Sequence, residues 1–331
     1  MQIVTATPKE LQQLLAAESL MLPIEQSFAW QDFDKKVPGK KPLGVFFAKD
    51  GSEVVAVVAL TKVSQQGYDW IWAKHGPFFV SKTVTNETVE KTLKALIAHV
   101  KNMQKGAVFL RVTTPKVNVN LQPPIHHIMY DRTIVIDITK SDETILANMN
   151  RGGRYDLKQS LKKGLEFKEH SGAEAAKKFD AFYAILEETA TRDGFRANPK
   201  INYVRMLESL GDSVSLYAAY SDDEPVSWAI VTQYAGRGVY YYAAGNALGR
   251  KLGAAYGLQL FIMQSLRAKG LSEYDMMGVA SPDYPSYSSV TGFKKKFSSN
   301  VIDIHKTFDI PLSPKYAVIK YAKKLKEAVR K

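Results

Sequence analysis

Twice along this chain, a group of apolar, β-branched segments is followed by a segment of helical period and then by one further buried strand. That order restricts the fold more than any single motif does. In the first half, residues 44–48 and 53–63 flank the turn Lys49-Asp50-Gly51, a hairpin signal, and residues 68–73 read as a third strand. Val89, Leu93, Leu96, Ile97 and Val100 then share one face of a helix over 88–101, and a strand returns at 107–112. In the second half, strands at 214–220, 226–234 and 239–243 precede a helix at 252–269 and a short strand at 273–277 that stops at Gly278. The pattern predicts an α/β (α+β) protein of two similar domains, each a mixed sheet flanked by helices. The expected division is 1–141, completed by a closing helix at 312–331, and 142–311. No fixed-period self-similarity accompanies it, so the duplication is one of element order.

The remaining segments fit around this frame. Helices are predicted at 9–17 and from Ser27-Phe28-Ala29-Trp30 through Lys36, where Pro38, Gly39 and Pro42 interrupt. After the strand Ile134-Val135-Ile136-Asp137-Ile138, a helix is expected over 143–164, a strand near 165–169, and helices over 173–192 and 201–210. The closing helix, 315–331, carries a stripe of Val318, Ile319, Ala322, Leu325 and Val329 that is expected to pack back on the first half, leaving its lysines in solvent. Peripheral contact with a membrane surface is the second reading of those lysines.

Composition removes whole classes of chemistry. The 331 residues include no cysteine, which excludes disulfides, thiolate nucleophiles and cysteine-held metals. No apolar run is long enough to span a bilayer and no signal peptide opens the chain, so the cytoplasm, with the inner membrane face as a variant, is the expected location. The sequence also lacks a GxSxG elbow, a Walker loop and an HExxH helix. His126 and His127 are adjacent, so their side chains point apart, and they read as structural; no metal or cofactor is expected. A formal charge of +12 favours anionic partners: phosphorylated metabolites, RNA or acidic lipid.

Three motifs concentrate the chemistry. Arg151-Gly-Gly-Arg154 opens a segment in which Arg154, Lys158 and Lys162 recur every four residues beside Leu157, Leu161 and Leu165; its cationic face suits either solvent or a polyanion. Gly292-Phe293-Lys294-Lys295-Lys296-Phe297 sets three ammonium groups between two aromatics, either a surface triplet or a cation held near a phosphate or developing oxyanion. Val239-Tyr240-Tyr241-Tyr242-Ala243-Ala244-Gly245-Asn246 ends in small residues before Arg250-x-x-Gly253-x-Ala255, the spacing of a pyrophosphate loop in GNAT acyltransferases. Its tyrosines suit core packing or a ligand wall.

In this order, these segments, with Gln26 to Phe33, Gly76-Pro77, Asn148-Met149 and Tyr274-Asp275-Met276-Met277-Gly278, resemble the FemABX family of peptidoglycan aminoacyltransferases over most of the chain. The resemblance implies two GNAT-like domains with a cleft between them, an aminoacyl-tRNA donor and a nucleotide-linked (UDP) or lipid-linked muropeptide acceptor. The stem-peptide amine would attack the aminoacyl ester without a covalent enzyme intermediate. By position, Lys294 matches the family lysine near the reacting ester, Lys35 or Lys36 the residue that holds the acceptor's phosphates, and Tyr241 or Tyr242 the acceptor wall. Arg151, Arg154, Lys158 and Lys162 are the tRNA contacts it suggests. Where relatives place an arginine four residues before a tyrosine, this chain has Pro199 before Tyr203, with Arg196 and Lys200 nearby, and Thr114 stands where relatives carry an acidic residue before Pro115. Two alternatives are an acyl-coenzyme A N-acyltransferase using the Arg250 loop and a non-catalytic basic module for RNA or membrane surfaces.

Overall fold

A computed structural model describes residues 1–126 and 129–329, with side chains of the closing helix described through Leu325; His127 of the histidine pair lies outside these residues. The chain forms two compact units, 1–131 with 305–331, and 132–304. The first segment runs β1 (Gln2–Thr5), α1 (Pro8–Ala17), α2 (Phe28–Lys35), β2 (Lys40–Asp50), β3 (Glu53–Gln65), β4 (Tyr68–Trp72), β5 (Phe78–Phe79), α3 (Asn86–Met103) and β6 (Phe109–Thr113). The second unit opens with β7 (Arg132–Asp137), α4 (Asp142–Asn148), α5 (Arg151–Ser160), β8 (Glu166–Ser171), α6 (Gly172–Lys177), α7 (Phe179–Asp193) and α8 (Lys200–Ser209). It continues with β9 (Val214–Ser221), β10 (Glu224–Tyr234), β11 (Arg237–Gly245), α9 (Ala247–Leu252), α10 (Ala254–Ala268), β12 (Glu273–Gly278), α11 (Ser288–Lys294) and β13 (Val301–Asp303). The chain then returns to the first unit with β14 (Thr307–Pro311) and α12 (Lys315–Val329).

The two sheets repeat one plan, and the expected mixed sheets flanked by helices are found. Each has seven strands, ordered β1-β2-β3-β4-β6-β14 with β5 on β3, and β13-β7-β12-β11-β10-β9-β8. Each contains one parallel neighbour pair, β4 with β6 and β11 with β12, and in each the crossover between them is helical. A parallel connection requires such a crossover, and an amphipathic helix buries its apolar stripe on the sheet as it makes it. Val89, Leu93, Leu96 and Val100 of α3 pack on Val58, Leu60, Ile71 and Leu110. Leu258, Ile262, Met263 and Leu266 of α10 do the same on Ile134, Ile136, Tyr217 and Tyr274.

Several expected long helices are broken, one of them by a capping side chain. Met149 is extended, and the Asn150 side chain accepts from Gly153 N at 2.7 Å, so the predicted helix over 143–164 is α4 and α5, and it ends at Ser160. Lys178 divides α6 from α7, and Gly253, at φ +67°, divides α9 from α10.

The unit boundaries fall at 131/132 and 304/305 instead of 141/142 and 311/312 because two strands belong to the opposite sheets. β7, read as the end of the first domain, pairs with β12 and β13, and β14 pairs antiparallel with β6. The register sets Asp309 opposite Arg111, where Nε and Nη2 donate to the two carboxylate oxygens at 2.6 and 3.0 Å. Both side chains are fully buried; the guanidinium lies 4.7 Å from the Trp70 ring centroid, and Ile125 N donates to the same carboxylate at 2.7 Å.

α12 packs on the first unit through a different face from the one predicted. Tyr316 is buried with its ring edge on Phe109, centroids 5.6 Å apart, and its hydroxyl donates to Pro123 O at 3.3 Å; Ile319 packs beside it. A buried aromatic anchor at Tyr316 turns Val318, Tyr321 and Leu325 away from that contact, and they are 69%, 65% and 50% exposed.

Asp309→Ala should lower unfolding free energy by about 3–5 kcal/mol, because it leaves a buried guanidinium unpaired. Asp303→Ala, which removes an exposed partner of Arg132, should be nearly neutral. Urea denaturation of both variants checks the contrast, and equal losses would mean that the buried pair is not what secures β14.

Candidate active site

β11 and β12 are hydrogen-bonded neighbours only from Arg237/Glu273 to Val239/Asp275. Beyond Val239, β11 continues to Gly245 on β10 alone, while β12 stays with β7. The parting is reinforced by an irregularity between Asp275 and Gly278, where Met277 sits at φ +59°. The Asp275 carboxylate holds this kink by accepting from Met277 N at 2.7 Å and Thr133 Oγ1 at 2.5 Å. Strand backbone that leaves its neighbour must find other hydrogen-bond partners.

One partner is Lys294, the last residue of α11, whose Nζ donates to Gly278 O at 2.7 Å. The side chain is 6% exposed. Burial lowers its pKa to about 8, and the negative charge of Asp275 opposes that fall. Its position in the last turn of a helix also favours a cation. The result is an ammonium close to its titration point at neutral pH, desolvated, and anchored through one of its three donors.

The other two lysines of the motif have separate fates. Lys295 is exposed, whereas Lys296 donates to Asp156 at 2.6 Å and to Tyr256 OH at 2.8 Å. Phe297 is buried, and Tyr256, Phe293 and Phe297 form one aromatic cluster with centroids 5.2–6.0 Å apart. The start of α5 docks on this turn: Asn150 N donates to Lys296 O at 3.2 Å and Asn150 Nδ2 to Lys295 O at 3.4 Å. A Cβ at Gly153 would overlap the Lys296 carbonyl, which explains the glycine at the centre of the Arg151-Gly-Gly-Arg154 motif.

A β-bulge separates the tyrosines. Ile230 and Val231 oppose Tyr242 and Tyr240, leaving Tyr241 as the extra residue of β11. Tyr240 therefore packs against the α10-side core with Tyr274, whereas Tyr242 meets Tyr203 edge-on at 4.9 Å. Tyr203 is buried, stacks on Phe179 at 5.7 Å, and has its pKa raised by that burial. Tyr203, Tyr241 and Tyr242 thus come together, with Tyr241 and Tyr242 half-buried and 5.2 Å apart.

The basic residues do not form one face. Arg151 and Lys158 are exposed on α5, and Lys162 lies in the turn after it. Arg154 donates to the carbonyls of Ala147 and Met149, so it caps the end of α4. Leu161 is 54% exposed and does not continue the apolar row. Arg196 is exposed, and Lys200 is ion-paired with Asp180. In the first unit, Lys35 pairs with Asp32 at 2.6 Å, and exposed Lys36 caps α2.

The start of α10, which the coenzyme A alternative would use as a pyrophosphate loop, is occupied by protein. Ala254 is fully buried, Ser160 Oγ accepts from Gly257 N at 3.2 Å, and a Cβ at Gly257 would overlap the Phe167 ring. Two of the donors that would face an anion there, Tyr256 N and Gly257 N, are already taken by Gly253 O and Ser160.

A charge nest in the first unit escaped sequence reading. Lys74, two residues before Gly76-Pro77, lies 3.4 Å from Glu25 and 4.5 Å from the Trp30 centroid, and burial lowers its pKa. Beside it, Lys40 pairs with buried Asp34 at 2.7 Å, and Thr61 donates to the same carboxylate. The tryptophan helix and Gly-Pro step were visible in the sequence, but nothing there marked Lys74 or Glu25 as enclosed. Among the described residues no cluster of ligating side chains is arranged for a metal.

Residues 151–288 match the model of the acetyltransferase (GNAT) domain. A crystal structure of FemX superposes with a TM-score of 0.76 at 17% identity, covering 97% of this chain and 100% of that one. The C-terminal domain of a putative lysylphosphatidylglycerol synthetase from Agrobacterium fabrum gives 0.57 at 12% identity, covering 96% of this chain and 95% of that one. L-PGS from Bacillus licheniformis gives 0.54 at 13%, covering 97% and 98%. Comparison with curated proteins finds no sequence match.

Lys294→Met should make stability less dependent on pH. Between about pH 8 and 10 the unfolded chain keeps the proton that the folded chain has lost, so the wild type gains about 1.4 kcal/mol per pH unit relative to the variant. Below pH 8 the buried charge costs stability, and the variant holds a constant advantage from its removal. Guanidinium unfolding from pH 7 to 10 measures this; parallel curves would show that Lys294 is not desolvated in solution.

Proposed function

We propose that this chain, which has the FemABX-like double-GNAT fold, moves an amino acid from aminoacyl-tRNA to the stem-peptide amine of a peptidoglycan precursor. The observation that carries the reading is Lys294: a desolvated ammonium anchored on Gly278 O where β11 and β12 part. The amine attacks the ester carbonyl, the new C–N bond forms, and the Lys294 ammonium stabilises the oxyanion. Collapse breaks the C–O bond to the ribose, whose hydroxyl leaves with the proton given up by the amine. Binding and orientation supply the rest, because an ester is already activated.

The tyrosine group of Tyr203, Tyr241 and Tyr242 lines the acceptor's path, with Arg196 and Lys200 at the adjoining loop. Of the two first-unit lysines, Lys36 is exposed at the end of α2 and open to a phosphate, whereas Lys35 is tied to Asp32. Arg151, Lys158 and Lys162 are available to the donor RNA, whereas Arg154 is committed to the backbone of α4. One structural neighbour bears a name that joins lysine to a phospholipid, which fits an amino acid as the transferred group. The filled start of α10 weighs against coenzyme A as the donor. No described helix is long and apolar enough to cross a membrane.

Transfer of radiolabelled amino acids from charged tRNA to UDP-linked or lipid-linked muramyl pentapeptide tests the reading. Lys294→Ala should reduce the rate by about 10²–10³-fold. The wild-type rate should also fall as pH rises through about 8, where Lys294 loses its charge. If folded protein transfers nothing to either acceptor yet is stabilised thermally by coenzyme A, the donor assignment is wrong.

A further inference from the structure

Residues 315–331 hold seven Lys and Arg against one acidic residue, Glu327, a formal +6 of the chain's +12. The helix α12, Lys315–Val329, is fastened to its unit along one side. Tyr316 is buried, Lys320 donates to Gln122 Oε1 at 3.1 Å, and Lys323 donates to the Ile125 carbonyl. Along the opposite side stand Val318, Tyr321 and Leu325, three and four residues apart and therefore on one stripe. At about 100° per residue, exposed Lys315 and Lys324 flank that stripe on its two margins.

We infer that this outer face of α12 seats the protein on an anionic lipid bilayer. An apolar stripe with cations at its edges matches the depth profile of a bilayer surface: Val318 and Leu325 enter below the headgroups, Tyr321 sits at their level, and Lys315 and Lys324 meet the phosphates. A second copy of the chain is a poor occupant, because pairing these faces would bring together two helices that each carry a formal +4 from five Lys and Glu327. RNA is a poor one too, because its phosphates would meet apolar groups at the centre of the face. The surface stands on its own observations and does not depend on the aminoacyl-transfer reading.

Sedimentation of the full chain with vesicles of phosphatidylcholine alone, or mixed with phosphatidylglycerol, tests the inference. Binding to the mixed vesicles should be at least about tenfold stronger and should weaken with salt. Val318→Asp with Leu325→Asp should abolish it, and Lys315→Gln with Lys324→Gln should reduce it, while thermal midpoints stay unchanged. Equal binding to both vesicle types, or binding indifferent to Val318 and Leu325, would overturn the proposal. So would a dimer in sedimentation velocity, or RNA retention, that the same aspartates abolish in place of vesicle binding.

Discussion

Two parallel strands that separate leave main-chain groups facing a gap, and the second unit is organised around how that gap is closed. β11 and β12 part after Val239 and Asp275, and the space is met by a buried cation in place of a third strand. Holding an ammonium there opposes its hydration by an amount on the order of 3 kcal/mol, so the surrounding structure has to keep it in place. Asp275 supplies a nearby negative charge and fixes the kink that aims Gly278 O. The aromatic cluster of Tyr256, Phe293 and Phe297 then fixes the end of α11. The chemistry and the local fold draw on the same few groups.

Element order was legible because periodicity reports burial, and burial is what the sheets and crossover helices require. The hairpin at Lys49-Asp50-Gly51, the stripe of α3 and the return to β6 could be read residue by residue. What could not be read was membership. β7 and β14 are short, and their partners lie far away in sequence: Asp309 finds Arg111 198 residues earlier. Nothing local to Phe308-Asp309-Ile310-Pro311 announces that pairing. The long-helix readings failed where a polar cap interrupts an otherwise continuous apolar pattern, as at Asn150, and α12 was turned by one buried tyrosine that a count of aliphatic positions passes over.

The candidate site was legible as a motif but not as an arrangement. Three consecutive lysines look alike in sequence, yet burial, exposure and a salt bridge to Asp156 give Lys294, Lys295 and Lys296 different chemistry. Tyr240 and Tyr242 would share a face in a regular strand, and only the bulge at Tyr241 sends them apart. Arg154 looked like a surface cation, but it serves the carbonyls of the preceding helix. Lys74 and Glu25 had no marker at all, since their significance comes from the walls of Trp30 and Trp72 that the fold places around them.

The contact between α5 and the lysine turn is made by a glycine, a carbonyl, the backbone and capping amides of Asn150, and the ion pair of Lys296 with Asp156. Most of that joint is main chain, so its spacing is largely inherited with the backbone. The outward groups of α5, Arg151 and Lys158, can then be exchanged without moving Lys294. The helix behaves as an adapter: one side is held to ångström tolerance, and the other is free to drift as whatever it touches changes.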